Sequence, residues 1–215
     1  MRVELEAADL SKSYAGRRVF AGLALSASEG LVAVAGPNGS GKTTFLKILA
    51  GLLRPDSGSV RVRRGGADLS GDARRQAIGW AGPDLSFYED LTAEENLDFF
   101  RRAAGRRADP AAVGRSLAEV GLADAARLHV GAFSTGMKQR LRIAFATLFD
   151  APILLLDEPM NGLDAAGREM VSEVVAARRR EGAVVLASND PRDLSGADAV
   201  VEIAPARARL TRGTP

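Results

Sequence analysis

The sequence predicts an α/β protein with a mostly parallel central sheet. Three short apolar segments, 31–35, 153–156 and 183–187, alternate along the chain with segments of helical pattern. Strands buried on both faces are nearly continuous apolar runs, and a chain that alternates strands with helices places those strands parallel. Such a sheet binds its ligands at the carboxyl ends of its strands, so the residues after each apolar run are the candidate functional residues.

Capping and breaking residues set the limits of the predicted elements. Thr92 and Glu95 form a capping-box pattern that starts one helix, Asp109 and Pro110 start the next, and Gly51 ends the first. The predicted strands cover 3–9, 19–27, 31–36, a short segment within 54–62, 77–82, 152–159, 183–188 and 198–203. The predicted helices cover 42–51, 92–103, 110–120, 136–149 and 165–181.

The order of these elements predicts a single domain, 1–215, with a helical lobe inserted into a parallel core. The predicted parts are an antiparallel β edge at 1–30 and about 58–66, a core at 31–57, 67–87 and 137–203, a helical lobe at about 88–136, and a peripheral tail at 204–215.

Composition limits the possible functions. The 215 residues are 46% hydrophobic and 26% charged, as in soluble globular proteins, and the net charge of +2 favours no nucleic-acid partner. The chain has no cysteine, which excludes disulfides and thiol chemistry. The start of the chain lacks a signal-peptide pattern, and no apolar run approaches the ~20 residues of a membrane span. We therefore expect any work at a membrane to go through a partner.

The stretch GPNGSGKT, residues 36–43, follows one predicted strand and precedes a helix. It matches the phosphate-binding loop G-x-x-x-x-G-K-[ST] in its required context. Glycines let backbone N–H groups surround phosphate oxygens, and the helix N-terminus adds its dipole. Lys42 would reach the β- and γ-phosphates, and Thr43 would bind Mg²⁺. A chance glycine turn is the alternative; one of the chain's four lysines lies at the required position.

The stretch ILLLDEP, residues 153–159, delivers two adjacent carboxylates at the end of an apolar strand. Asp157 would hold Mg²⁺, directly or through water, and Glu158 would polarise the attacking water. Together with the phosphate-binding loop, these acids predict a P-loop NTPase.

A third stretch, FSTGMKQR at 133–140, places Ser-x-Gly at a helix N-terminus, a second phosphate-binding device in one chain. With this stretch the sequence resembles the ATP-binding subunits of ABC transporters, from Tyr14 to Asp190. GPNGSGKTT resembles their Walker A motif, FSTGMKQR the signature motif, ILLLDEP the Walker B motif and NGLD the D-loop. Tyr14 lies where the family stacks an aromatic ring on adenine, and DLTAEENL at 90–97 is also typical of the family.

The resemblance implies a RecA-like core and a set of site residues. The implied ATP-binding residues are Tyr14, Gly36, Pro37, Asn38, Gly39, Ser40, Gly41, Lys42, Thr43 and Thr44. The implied signature residues, which would contact the phosphate bound to a second copy, are Ser134, Thr135, Gly136 and Met137. The implied D-loop residues are Asn161, Gly162, Leu163 and Asp164. The implied catalytic residue is Glu158, and the implied Mg²⁺ ligands are Thr43 and Asp157.

The resemblance also implies a mode of action. Two ATP molecules would be sandwiched in a head-to-tail dimer, either a homodimer or a heterodimer, which ATP closes and hydrolysis opens. Membrane-spanning permease subunits would convert that motion into transport, and the ATPase would lie on the cytoplasmic face of the cell membrane through them. The short chain most resembles subunits of exporter-type systems, including the haem-exporter-like group. The permease selects the substrate in this family, so the sequence leaves it open.

Four positions depart from the family pattern, of which Thr135 and Met137 of the signature segment are the milder two. Pro83 occupies the position of a glutamine that touches Mg²⁺ and water, and Asp84 could replace it only if the loop shifts by one residue. Asn189 occupies the position of the switch histidine; its amide can donate to a phosphate oxygen but carries no charge. These changes predict a working but slow Mg²⁺-dependent ATPase. His129, the only histidine, is expected to be a structural or surface residue.

Two other functions stay open at this point. The chain could be a soluble ABC-type ATPase of a non-transport machine, although it has neither a long coiled-coil insertion nor a second cassette. It could also be a degenerate nucleotide-binding regulator, which Pro83 and Asn189 would favour.

Overall fold

The computed structural model describes residues 2–204, which form two β-sheets and six α-helices. The strands are β1 (Val3–Tyr14), β2 (Arg17–Ala27), β3 (Gly30–Ala35), β4 (Ser57–Arg64), β5 (Ala67–Asp68), β6 (Ile78–Ala81), β7 (Ile153–Asp157), β8 (Ala183–Ser188) and β9 (Ala199–Glu202). The helices are α1 (Lys42–Ala50), α2 (Gly71–Gln76), α3 (Ala93–Ala103), α4 (Pro110–Glu119), α5 (Thr135–Thr147) and α6 (Ala165–Glu181). The predicted α/β fold class is confirmed.

The first sheet is antiparallel, in the order β2-β1-β4-β5. Its strands are longer than predicted because bulges interrupt their alternation, for example between Ala7 and Leu10 on β1, where Asp9 has φ +52°. The prediction omitted β5, which has only two residues, and α2, which buries no residue. Neither element carries an apolar stripe from which it could have been predicted.

The second sheet is fully parallel, in the order β6-β7-β8-β3-β9. β8 lies between β7 and β3, with Asp157 paired to Ala187 and Ala35 paired to Ser188. The carboxyl ends of these three neighbouring strands therefore meet at one edge. Every candidate phosphate or metal residue that follows β3, β7 or β8 lies along this edge.

The parallel sheet is buried on both faces, which explains its nearly continuous apolar strands. Ile153 and Leu155 of β7 face a core shared with the antiparallel sheet and α1. Leu154 and Leu156 face a second core that includes Leu97 and other residues of the helices. The helical segment thus packs into one core with the sheet, while the subdomain limits at about 88 and 136 stay a prediction.

The predicted capping box at the start of α3 is confirmed. The Thr92 hydroxyl accepts from Glu95 N, and the Glu95 carboxylate accepts from Thr92 N at 2.8 Å. One turn later, the fully buried Asn96 donates to the carbonyls of Tyr88 and Thr92 and accepts from Tyr88 N. Asn96 therefore fixes the loop that joins β6 to the helical lobe.

The sequence predicts a peripheral tail at 204–215 and no membrane-spanning segment. The predicted tail lies outside the described residues except for Ala204. Within the stretch 2–204, no helix combines the length and the apolar character needed to cross a bilayer.

We predict opposite effects for two glycine-to-alanine changes. A Cβ at the buried Gly79 of β6 would clash with the carbonyl oxygen of Ala146 on α5, so Gly79→Ala should lower the free energy of unfolding by about 1–3 kcal/mol. Gly114 lies inside α4, is exposed and would have open space around an added Cβ. Gly114→Ala should therefore raise the free energy of unfolding by about 0.5–1 kcal/mol. Urea unfolding measures both; equal effects would contradict the close packing of β6 on α5.

Candidate functional site

The loop between β3 and α1 has the backbone of a phosphate-binding loop. Gly39 and Gly41 have φ values of +77° and +108°, which other residues rarely adopt. A Cβ at Gly41 would also clash with Val19 of β2. The first sheet therefore holds the end of the loop where helix α1 begins, with the N-terminal N–H groups of α1 free for an anion.

Lys42 is folded back across this loop. Its side chain is only 6% exposed, its Nζ donates to Gly36 O at 2.8 Å, and it lies 3.1 Å from Glu158 Oε1. The loop carbonyl and the carboxylate hold the ammonium in place. This position puts one positive charge between the end of β3 and the end of β7.

Asp157 is a buried carboxylate without a hydrogen-bond partner on either oxygen among the described residues. Burial raises the pKa of Asp157, and the nearby Thr43 side chain is the largest opposing influence. Ser40 Oγ is also buried without a partner. Oxygen atoms left unpaired in this way fit a Mg²⁺ ion, which prefers carboxylate, hydroxyl, water and phosphate oxygens. Residues 2–204 contain no group of three or more His, Cys, Asp or Glu residues that could hold a metal, so a nucleotide would have to supply further ligands.

Glu158 has an unusual backbone, with φ +49°. Its N–H donates to Ala187 O at 2.8 Å, and the Gln139 amide donates to both Glu158 O and Pro159 O. These bonds hold a strained conformation that aims the side chain at the loop. Glu158 Oε2 lies 3.3 Å from the Ser188 hydroxyl. Sequence reasoning missed Gln139 and Ser188; their proximity to Glu158 depends on how α5 and β8 pack.

Asn189 is exposed and lies beside the phosphate-binding loop. Its amide Nδ2 donates to Asn38 Oδ1 at 2.9 Å. The structure thus brings this residue, 151 positions along the chain from Asn38, to the predicted phosphate site. Its role as an uncharged switch stays a prediction.

The signature segment starts α5, with Ser134 as the N-cap that accepts from Met137 N at 3.2 Å. A Cβ at Gly136 would lie 3.2 Å from Gly162 O, so this segment is next to the predicted D-loop. Asp164 ends that loop as the N-cap of α6. No hydrogen bond or ion pair within 2–204 joins 134–137 to 36–43.

The other predicted residues lie at the periphery of the site. Tyr14 is 51% exposed at the end of β1, with Lys12 Nζ 5.6 Å from its ring centroid. Asp84, after Pro83, pairs with Lys47 of α1 at 3.1 Å, and its predicted metal contact stays a prediction. His129 Nδ1 lies 2.9 Å from Asp90 O, a contact inside the helical lobe.

Comparison with known proteins agrees with these motifs. The family model described as ABC transporter matches residues 21–161. The chain is 40% identical over 179 residues to the cytochrome c biogenesis ATP-binding export protein CcmA of Rhizobium meliloti (strain 1021), which covers 81% of this chain and 84% of that protein. It is 37% identical over 185 residues to an uncharacterized ABC transporter ATP-binding protein of Bacillus subtilis (strain 168), covering 84% of this chain but only 60% of the relative's length.

Solved structures share the fold. An ATP-binding subunit of an ABC transporter superposes with a TM-score of 0.80 at 27% identity, over 94% of this chain and 88% of that one. A bacterial Atm1-family ABC exporter with ATP bound gives the same TM-score at 22% identity, over 96% of this chain and 38% of that chain. The family match over most of the chain, together with these relatives, places the protein among the ATP-binding subunits of ABC transporters.

Proposed function

We propose that this chain binds and hydrolyses Mg²⁺-ATP to power an exporter. The observation that carries the proposal is the group of Lys42, Asp157 and Glu158, one buried cation and two carboxylates at the edge where β3 and β7 end. A buried ammonium and a buried, unpartnered carboxylate suit a site that is completed by a phosphate and a metal.

ATP binding would exchange the partners of Lys42. Among the described residues, Gly36 O accepts a hydrogen bond from the ammonium and Glu158 balances its charge. A triphosphate carries more charge and would attract Lys42 more strongly, while the N–H groups of 39–44 would hold its oxygens. Tyr14, exposed at the end of β1, would stack on the base. Once Lys42 turns to the phosphates, Glu158 is released for a water molecule.

Thr43 and Asp157 would hold Mg²⁺, which neutralises phosphate charge when bound. Glu158 would then accept a proton from the attacking water while its backbone keeps the carboxylate oriented. Asn189 would exchange its bond to Asn38 for one to the γ-phosphate. A neutral amide donor is weaker than a charged imidazole, so we expect slow turnover.

The signature segment supports a site that is shared between two copies. Ser134, Thr135 and Gly136 form a second phosphate-binding element that makes no hydrogen bond to the loop 36–43 of the described chain. A second copy, or a related ATPase subunit, would bring this element onto the bound nucleotide. ATP would then close the dimer, and hydrolysis would open it.

An open groove of about 740 Å³ supports a permease partner. It lies between β6 and the helical lobe, with Trp80, Phe145 and Phe149 in its lining and the 60% exposed Leu52 at its rim. Aromatic and aliphatic side chains exposed in a groove suit an apolar segment of another protein. We infer that a permease segment docks here and holds the subunit at the cytoplasmic face of the membrane. Export is proposed from the likeness to CcmA, an export protein by name.

A slow nucleotide-dependent regulator is the second candidate. It is favoured by Asn189, which is bonded to Asn38 and has no ionisable group to assist hydrolysis. The turnover experiments below separate it from the transport ATPase.

Glu158→Gln should abolish turnover because the amide cannot accept a proton from water. We expect the rate to fall by at least ~100-fold, while ATP binding persists. Steady-state phosphate release and ATP titration measure the two effects. Glu173→Gln, an exposed glutamate on α6, is the matched control and should leave both unchanged. Unchanged turnover in Glu158→Gln would show that another group acts on the water.

Asn189→His should raise turnover by about 5- to 150-fold, since a charged donor is worth roughly 1–3 kcal/mol in the transition state. The gain should be largest below about pH 6.5, where a histidine is protonated. A pH series of phosphate release compares the variant with the wild type and with Asn189→Ala. A variant no faster than Asn189→Ala would contradict the proposed contact with the γ-phosphate.

Asp157→Asn should stabilise the nucleotide-free chain by about 1 kcal/mol because it removes a buried charge. The raised pKa of Asp157 makes its carboxylate destabilising at neutral pH, and this effect disappears as the pH falls through that raised value. The variant should also lose the extra stabilisation that Mg²⁺ adds to ATP. Thermal unfolding with ATP, with and without Mg²⁺, tests both effects, and the exposed Asp124→Asn is the control. Full Mg²⁺-dependent stabilisation in Asp157→Asn would exclude Asp157 as a ligand.

A further inference from the structure

We propose that Ser188 positions Glu158, and that Asp193, held by Arg168, competes with Glu158 for the single proton of the Ser188 hydroxyl. This inference rests on the role proposed above for Glu158. It names Ser188 and Asp193, which lie outside the Walker A, Walker B, signature and D-loop segments, and links the site to the start of α6.

Two carboxylates converge on one hydroxyl. Ser188 Oγ lies 2.8 Å from Asp193 Oδ2 and 3.3 Å from Glu158 Oε2, and it accepts from Asp190 N at 3.0 Å. Ser188 is fully buried. A hydroxyl has one proton to donate. The Ser188 hydroxyl can therefore satisfy only one of the two carboxylates at a time.

The described geometry favours Asp193 over Glu158. The shorter bond goes to Asp193, whose side chain is 8% exposed and whose other oxygen pairs with Arg168 Nη1 at 2.9 Å. Glu158 instead has Lys42 at 3.1 Å on its opposite oxygen. Among the described residues, Lys42 is thus the closest side-chain partner of the Glu158 carboxylate.

ATP changes this balance because Lys42 would turn to the phosphates. Of the side chains within residues 2–204 that contact the Glu158 carboxylate, Ser188 would then remain to fix its orientation. If the hydroxyl turns from Asp193 to Glu158, it orients the carboxylate toward the water. Ser188 acts through Glu158 and is a positioning residue.

Arg168 lies in the first turn of α6, directly after the predicted D-loop at 161–164. A shift of that loop would move Arg168 and, with it, the Asp193 carboxylate. The chain Arg168–Asp193–Ser188–Glu158 therefore offers a route by which contacts of the D-loop set the orientation of the base.

Substitutions at Ser188 and Asp193 should have opposite effects on the hydrogen bond from the Ser188 hydroxyl to Glu158. Ser188→Ala removes the hydroxyl that lies 3.3 Å from Glu158 Oε2. Asp193→Asn keeps an oxygen for Arg168 and presents an NH₂ group to Ser188, which directs the hydroxyl proton to Glu158. Ser116→Ala is the matched control: Ser116 is a buried serine in α4 whose hydroxyl donates to Ala144 O, away from the site.

The experiment measures kcat and KM for Mg²⁺-ATP and the thermal midpoint of the full chain for the wild type and the four variants Ser188→Ala, Asp193→Asn, Ser116→Ala and Glu158→Gln. We expect Ser188→Ala to lower kcat about tenfold with KM unchanged. Asp193→Asn should keep kcat at or above the wild-type value although it is less stable. Ser116→Ala should lose stability but not kcat.

If Glu158→Gln is inactive, two results would overturn this inference but leave the proposed base intact. The first is a kcat of Ser188→Ala within twofold of the wild type. The second is a loss of kcat in Asp193→Asn as large as in Ser188→Ala, which a purely structural role predicts. Turnover retained in Glu158→Gln would overturn the proposed base, and this inference with it.

Discussion

The site depends on one buried ammonium between a loop carbonyl and two neighbouring carboxylates. Lys42 is held by Gly36 O and Glu158, while Asp157 beside them has no hydrogen-bond partner in the described part of the chain. Burying a carboxylate without a hydrogen-bond partner costs free energy. A metal bound to phosphate would remove that cost. Lys42 is therefore held by partners within the chain, whereas Asp157 still needs a ligand such as Mg²⁺ for its oxygens.

The two sheets position the residues around Lys42. The parallel order β7-β8-β3 brings Asp157, Ser188 and the loop after Ala35 to one edge, and the antiparallel sheet braces Gly41 through Val19. The other face of the parallel sheet packs against residues of α3 to α6, and within residues 2–204 no hydrogen bond or ion pair joins Ser134, at the start of α5, to the loop 36–43. If the signature segment binds phosphate as proposed, one chain would contribute halves of two different sites, and a second subunit would complete each of them.

Elements with a clear apolar pattern, and the motifs that adjoin them, could be predicted from the sequence. Apolar runs at β3, β7 and β8 and the N-terminal caps of α3 and α4 could be located because each depends on local residues. The strand β5 and helix α2 could not, since neither buries an apolar face. The contacts of Ser188 with Glu158 and Asp193 join different elements, so only the packed structure could reveal them.

The most direct test of the account is a structure of the wild-type chain with a non-hydrolysable ATP analogue and Mg²⁺. The account predicts that Lys42 Nζ leaves Gly36 O for a phosphate oxygen, that Asp157 reaches the metal directly or through water, and that Ser134 of a second copy contacts the same nucleotide. An analogue bound elsewhere, with Lys42 still on Gly36 O and Glu158, would contradict it.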